Sequence, residues 1–234
     1  MLAGASVVRE AFQRTVRIVT TARLRAGVLE PLVDSQDELA QLAELESATS
    51  ARLMGQNTGS SGIAAAEYVY GVPHAHFINA SFAYAKPFEP GRFNSAERGA
   101  WYSAISVDTA LAEVVFHMTE NLAATGSFHA VVEYAEMFAS FAGEFLDLRG
   151  IDPASPCLHP NKSIGYPAGN AIADHTRSMG LNGIIYPSVR HSGGTCIVAL
   201  WPLVVQSAAQ GCVFRVTWSG EPRPMIEKVD AELT

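Results

Sequence analysis

The sequence has few cysteines and no long apolar run, and each shortage excludes a class of protein. Its three cysteines among 234 residues include no Cys-x-x-Cys pair, so neither a disulfide framework nor a zinc cage is indicated, and a reducing compartment is expected. The longest apolar run, residues 196–205, is interrupted by Pro202 and falls short of the about 20 residues that a membrane-spanning helix needs. Arg9 and Glu10 follow the first residues, which lack the apolar core of a signal peptide, so a cytoplasmic location is expected.

Charged residues are also scarce, and bases are fewer than acids. The chain has 16 lysines and arginines against 23 aspartates and glutamates, a net charge of −7. This balance argues against a general nucleic-acid binder, which needs a basic face to displace counterions. Because 48% of the residues are hydrophobic and 17% are charged, a disordered chain is also excluded. The length favours one domain with an appended segment.

The first 60 residues are predicted to form an N-terminal helical extension. Residues 1–30 carry five arginines and two glutamates, whereas residues 31–50 carry five acids and no base, which indicates two helical pieces of opposite charge. The second piece begins with a capping box at residues 35–38 (Ser-Gln-Asp-Glu). This extension is expected to pack on the main domain, at residues 61–234, with a partner-binding arm as the alternative.

In the main domain, short strands mixed with few helices predict an α+β (mixed α/β) fold and not a regular doubly wound sheet. Hydrophobic periodicity and turn residues give the boundaries. The predicted strands are residues 99–104, 128–134, 145–148, 184–186, 195–201 and 213–218, and the predicted helices are residues 108–118 and 168–179.

Two charged side chains are candidates for chemistry. Arg92 follows a Pro-Gly turn, and its guanidinium is either a fork for phosphate oxygens or a surface group. Glu113 lies opposite the apolar stripe of the predicted helix 108–118, beside His117. It therefore faces either solvent or a cleft, and helix geometry alone leaves both possibilities open.

Other candidate motifs are weaker. Ser188 begins a loop after a predicted strand, and loops at strand ends often carry binding groups. No G-x-S-x-G elbow surrounds it, and the nearby His191 is poor evidence for a catalytic triad. His74 and His76 alternate along the chain without an acidic or sulfur ligand nearby in sequence, so they are expected to be partly buried or cleft-lining groups and no metal site is expected.

Four motifs taken together resemble the RES domain family. In order, they are Gly-Arg-Phe-Asn at residues 91–94, Tyr102, Ala-Glu at residues 112–113 and Tyr-Pro-Ser at residues 186–188. The family is named for its Arg, Glu and Ser, and it is best known as the toxin of bacterial toxin–antitoxin pairs whose antitoxin is an Xre-like helix-turn-helix protein. The resemblance runs from about residue 70 to residue 203 and implies a fold like that of the ADP-ribosyltransferase toxins.

The resemblance implies that NAD is the substrate, with no cofactor. Family members break the nicotinamide–ribose bond by hydrolysis, by phosphorolysis or by transfer to a protein. The first two reactions, in the toxin of a toxin–antitoxin pair, are favoured here. The alternatives are a protein ADP-ribosyltransferase and a non-catalytic binding module that retains the fold. Expected partners are therefore NAD and an Xre-like antitoxin, without direct nucleic-acid or membrane binding.

The resemblance also implies a role for each matching residue. Glu113 would be the key acid, Tyr102 would pack on nicotinamide or its ribose, and Ser188 would form a hydrogen bond at the nicotinamide end. The residues implied to be catalytic are Arg92, Tyr102, Glu113 and Ser188, and those implied to bind NAD are Arg92, Phe93, Asn94, Tyr102 and Ser188.

One position departs from the family's pattern. Many members carry a further arginine upstream of the Gly-Arg-Phe-Asn motif, but no arginine lies between Arg52 and Arg92 in this sequence. His74, His76 or Asn79 occupies roughly that region instead. Either another group meets the phosphates or the activity has shifted.

Overall fold

The computed structural model describes residues 2–23, 63–83 and 90–229, and this part of the chain folds as a mixed α+β structure. None of its helices is long and apolar enough to cross a membrane. Its strands are β1 (Ser6–Thr20), β2 (Trp101–Ala104), β3 (His129–Asp147), β4 (Gly183–Pro187), β5 (Thr195–Ala199), β6 (Gln206–Ser219) and β7 (Met225–Val229). Its helices are α1 (Ala75–Ala83), α2 (Val107–Thr125) and α3 (Lys162–Ser178).

The strands form one sheet in the order β1-β2-β5-β4-β3-β6-β7. Strand β4 is parallel to β3, and the other neighbouring pairs are antiparallel. Strand β1 pairs with β2 at one edge and also with β3 along most of its length. These pairings join β1, β2, β5, β4 and β3 in a closed ring, from which β6 and β7 extend.

Strands β4 and β5 of the ring are buried on both faces. In β4, Ile184 and Tyr186 belong to one hydrophobic cluster and Ile185 to a second. In β5, Val198 and Ile197 divide between the two clusters in the same way. Because successive side chains of a strand point to opposite faces, each strand contributes to both cores. The predicted strand 184–186 is confirmed, and the predicted strand 195–201 is confirmed over residues 195–199.

The prediction of a helical N-terminus is wrong for residues 6–20, which form strand β1. Their β-branched residues favour a strand, and alternate side chains in the first half are half-buried against β3. Charge balance, on which the prediction was based, does not reveal the alternation of exposed and half-buried side chains in the first half of β1. The capping box at residues 35–38 and the helix expected after it lie outside the described residues.

The prediction of separate strands at residues 128–134 and 145–148 is also wrong, since both belong to the 19-residue strand β3. Between the two predicted strands, Glu136 is buried in β3 and accepts a hydrogen bond from the Cys212 backbone N–H. Strand β3 continues through this region because β1 and β6 pair with it from opposite sides.

Helices α2 and α3 confirm the two predicted helices and extend them. The Ser106 hydroxyl caps α2 by accepting from the Thr109 N–H. Helix α3 begins at Lys162, six residues before the predicted start at residue 168. Neither α1 nor β7 is anticipated by the sequence patterns.

Candidate active site

A cavity of about 300 Å³ lies between the barrel strands β1 and β2 and the helices α2 and α3. Its volume is at the lower end of the range of about 300–1,000 Å³ that is typical of small-molecule sites. Side chains that reach it from separate elements include Arg17 from β1, Tyr102 from β2, Glu113 from α2, Tyr166 from α3, and Arg92 and Arg190 from loops.

Arg92 is buried, with 8% of its surface exposed, and one edge of its guanidinium is held by backbone carbonyls. Its Nη1 donates to the carbonyl oxygens of Cys157 at 2.6 Å and His159 at 3.1 Å. The Tyr166 ring lies beside it, with 5.6 Å between the ring centroid and Arg92 Cζ. The guanidinium is therefore fixed in orientation, and its other edge stays available to a ligand.

Helix α3 supports the backbone of Arg92 at very close range. A Cβ at Gly169 would lie 2.1 Å from the Arg92 carbonyl oxygen, so this position requires glycine. The neighbouring Asn170 donates from Nδ2 to the carbonyl oxygen of Gly91 at 2.8 Å. Together these two helix residues hold the Pro-Gly turn in place.

The Tyr102 hydroxyl joins the other end of the same turn to the sheet. It accepts from the Phe93 N–H at 2.8 Å and donates to Asn94 Oδ1 at 2.8 Å. Burial raises the pKa of Tyr102, so the phenol remains neutral. Phe93 packs edge-to-face on Tyr186. Phe93 and Asn94 are both buried, and neither is among the described residues that line the cavity. Their contacts position Tyr102 and the turn.

Glu113 meets the serine of the distant loop. Its Oε1 accepts from the Ser188 hydroxyl at 2.7 Å. The same hydroxyl accepts from the backbone N–H groups of Arg190 at 3.2 Å and His191 at 3.0 Å. Because a hydroxyl has one proton, these contacts direct it to the carboxylate. Ser188 itself is not among the described residues that line the cavity.

The loop that carries Ser188 is tied to helix α2 at a second point. The Thr109 Oγ1 and His191 Nδ1 atoms are 2.8 Å apart and share a hydrogen bond. Thr109 lies one helical turn before Glu113 and is buried. Two hydrogen bonds on successive turns of α2 therefore fix the loop relative to the carboxylate.

Neutral groups lie behind Glu113. The Cys196 Sγ is 3.8 Å from Glu113 Oε1, and burial together with the nearby Glu113 charge raises the pKa of Cys196 to about 12. Burial also raises the pKa of Tyr186 well above its ordinary value. Both side chains therefore stay protonated at neutral pH and add no second anion beside Glu113.

A pair of charges bridges the helices at the edge of the cavity. Lys162 Nζ on α3 is 2.5 Å from Glu120 Oε2 on α2. His117 lies one turn before Glu120 on α2 and lines the cavity. Burial lowers the pKa of His117, and the nearby Lys162 charge lowers it further. His117 is therefore neutral at pH 7.

Comparison with protein-family models matches residues 68–219 to the RES domain. The chain belongs to the RES domain family. RES domains are a family of NAD-related toxins. The resemblance seen in the sequence motifs is thus confirmed, and the matched segment contains Arg92, Tyr102, Glu113 and Ser188. No curated protein matches the chain.

Two further arginines reach the cavity, and neither was singled out from the sequence. Arg17 lies on β1, before the matched segment, and donates to the Tyr102 carbonyl oxygen at 3.4 Å. Arg190 lies two residues after Ser188. The alternating pattern of β1 and the position of Arg190 beside the family's serine were the signals available for them.

The residues expected in place of the family's upstream arginine lie elsewhere. Asn79 is buried on α1 and forms hydrogen bonds with both backbone polar groups of Val69. His74 precedes α1 and His76 is exposed on it, so the two do not alternate along an extended segment. None of the three is among the described residues that line the cavity.

Proposed function

We propose that this RES domain degrades NAD by cleaving its nicotinamide–ribose bond, by hydrolysis or by phosphorolysis. One observation carries the proposal: the Arg92 guanidinium and the Glu113 carboxylate line the same cavity, with Tyr102 between them in sequence. A guanidinium fork suits the phosphates of a dinucleotide, and a carboxylate suits a sugar that becomes cationic. The likeness to ADP-ribosyltransferase toxins that the motifs imply belongs to the same proposal.

In this proposal, Glu113 acts on the developing positive charge. When the bond between the ribose C1′ and the pyridinium nitrogen breaks, its electron pair moves to nitrogen and nicotinamide leaves as a neutral molecule. The ribose gains oxocarbenium character, as in glycoside hydrolysis. A carboxylate near C1′ or the 2′-hydroxyl stabilises that charge as it forms. The oxygen of water or phosphate then bonds to C1′, and in hydrolysis the water's proton is released.

Ser188 is assigned to positioning Glu113. Its hydroxyl proton occupies Oε1, and Oε2 has no hydrogen-bond partner among the residues that the structure describes. The carboxylate therefore presents Oε2 to the sugar in a defined orientation. Phe93 and Asn94 act through Tyr102 and the Arg92 turn, and Tyr102 offers its ring edge to the nicotinamide riboside end of NAD.

The direct test incubates the purified chain with NAD and measures free nicotinamide. Glu113→Gln keeps the size of the side chain and its bond to Ser188 but removes the charge. We expect it to release nicotinamide about 10²–10³-fold more slowly, the typical loss of one preorganised electrostatic group. Glu221→Gln, a change at an exposed site, serves as the matched control and should match the wild type. Equal rates for Glu113→Gln and the wild type would refute the assignment.

The buffer and a labelled substrate separate the reactions. Release that needs phosphate indicates phosphorolysis, and release in either buffer indicates hydrolysis. Label from the adenylate portion of NAD appearing on protein indicates ADP-ribosyl transfer. No release under any condition supports the non-catalytic binding module instead.

The proposal extends to a toxin that an Xre-like antitoxin neutralises. Loss of cellular NAD then explains toxicity, and the same Glu113→Gln variant tests it. Expression of the wild-type chain should arrest growth and deplete NAD, whereas expression of the variant at equal level should do neither. If both proteins arrest growth, the toxicity does not depend on NAD cleavage, and the toxin part of the proposal is refuted.

A further inference from the structure

Arg190 is held rigidly at the cavity, although no motif singled it out. Its Cζ lies 3.5 Å from the centroid of the Phe116 ring on α2, and its Nη2 donates to the Pro160 carbonyl oxygen at 2.7 Å. A guanidinium stacked on an aromatic face and bound to a carbonyl loses most of its rotational freedom. Its position is therefore set before any ligand arrives.

Arg92 and Arg190 are anchored to the same short segment of backbone. Arg92 binds the carbonyl oxygens of Cys157 and His159, and Arg190 binds the carbonyl oxygen of the next residue, Pro160. Consecutive carbonyls therefore hold both guanidinium groups at one end of the cavity that both line. This placement is a property of the loop before α3, and it brings together residues 98 positions apart in sequence.

Each guanidinium keeps part of its fork free. Among the residues that the structure describes, no acceptor binds Nε or Nη2 of Arg92, nor Nε or Nη1 of Arg190. Burial lowers the pKa of Arg190 and the charge of Arg92 lowers it further, as expected for two cations that lie near one another in a partly desolvated setting. The negative charge of Glu113 raises the pKa of Arg190 and so offsets part of the repulsion between the two cations. An anion bound between the two forks would offset the rest.

We propose that Arg92 and Arg190 together form a two-guanidinium site for a phosphate group. This inference rests on the proposed function, in which the ligand is NAD. Two sources supply the same chemistry: the diphosphate of the dinucleotide and the inorganic phosphate that attacks C1′ in phosphorolysis. Two forks suit either one, because each guanidinium binds phosphate oxygens through paired N–H donors.

The test replaces Arg190 and measures binding without turnover. Isothermal titration calorimetry measures the binding of ADP-ribose to the wild type, Arg190→Gln and Arg190→Lys. ADP-ribose has the diphosphate but lacks the nicotinamide–ribose bond that the enzyme would cleave. Loss of charge-assisted hydrogen bonds should weaken ADP-ribose binding about 10- to 100-fold in Arg190→Gln. Arg190→Lys keeps the charge without the fork and should show a smaller loss. Arg215→Gln, an exposed arginine paired with Glu133 on β3, is the matched control and should bind like the wild type.

A second arm identifies the source of the phosphate. If the dinucleotide is the ligand, Arg190→Gln should raise the KM for NAD while cleavage of nicotinamide riboside, which has no phosphate, is unchanged. If inorganic phosphate is the ligand, the variant should raise the KM for phosphate and leave ADP-ribose binding unchanged. Either result supports the site.

The inference is overturned if ADP-ribose affinity and the KM values for NAD and phosphate all stay within twofold of the wild type in both Arg190 variants. Thermal unfolding establishes whether the variants fold. If Arg190→Gln does not fold, Arg190→Lys still tests the inference. A wild-type chain that binds ADP-ribose in an Arg190-dependent way but releases no nicotinamide would refute the proposed function and leave the phosphate site standing. If the wild-type chain releases nicotinamide and neither release nor binding depends on Arg190, the proposed function stands and the phosphate site is refuted.

Discussion

Replacing Tyr102 with phenylalanine separates two roles for this residue. If the ring acts by packing on nicotinamide or ribose, phenylalanine preserves the contact. If the hydroxyl acts as the structure indicates, the variant loses the bond from the Phe93 N–H and the bond to Asn94 Oδ1, each 2.8 Å long. Both of these partners belong to buried residues, so water does not readily replace the hydroxyl.

The expected magnitude follows from those two partners. A buried polar group left without a hydrogen bond costs about 1–3 kcal/mol, so two such groups should lower the free energy of unfolding by about 2–6 kcal/mol. For a domain of this size the midpoint of thermal unfolding should then fall by about 4–24 °C. The turn that carries Arg92 also loses its tie to β2, so we expect a higher KM for NAD.

Urea unfolding followed by tryptophan fluorescence measures the change, because the buried Trp101 precedes Tyr102 in β2. Tyr70→Phe is the matched control, since Tyr70 is 74% exposed, and its stability should equal that of the wild type. Asn94→Ala, alone and combined with Tyr102→Phe, should give effects that do not add, as expected for groups in one hydrogen bond. A change below about 0.5 kcal/mol in Tyr102→Phe, within the scatter of ordinary surface substitutions, would contradict the bridging role of the hydroxyl.

Two further outcomes are expected. Gly169→Ala should lower the free energy of unfolding by about 1–3 kcal/mol and weaken NAD cleavage, because its Cβ meets the Arg92 carbonyl oxygen; denaturant unfolding and nicotinamide release measure both effects. In the native protein at pH 8, Cys212 should react first with a thiol reagent, since burial raises the pKa of Cys157 and raises that of Cys196 to about 12. Cys212→Ser should abolish the fast phase, and a fast phase that persists in this variant would contradict the burial of the other two thiols.

The strands and helices that the sequence predicted are those whose local pattern is unambiguous. Strands β4 and β5 are short apolar runs bounded by turn residues, and α2 has an apolar stripe and a serine cap. The local pattern failed for the two longest strands. Strand β1 contains arginines and was predicted to be helical, and β3 was predicted as two short strands although its pairing with β1 and β6 keeps the residues between them extended.

The candidate site divides in the same way. Arg92, Tyr102, Glu113 and Ser188 were predicted because their order and spacing resemble a family's motifs. Their present contacts were not predictable: Ser188 meets Glu113 across 75 residues, and Arg92 meets the carbonyl of Cys157 across 65. Such contacts depend on which segments the barrel brings together, and no local pattern records that.

The amino-acid sequence by itself determined the α+β character, the family and the chemistry available, because composition, hydrophobic period and residue types act locally along the chain. The tertiary structure alone decided that β1 closes the barrel and that Arg17 and Arg190 reach the same cavity as Glu113. The reason is physical: strand pairing and burial are long-range choices, stabilised by the whole sheet and its two cores, and a side chain acquires its partner only when that sheet is complete.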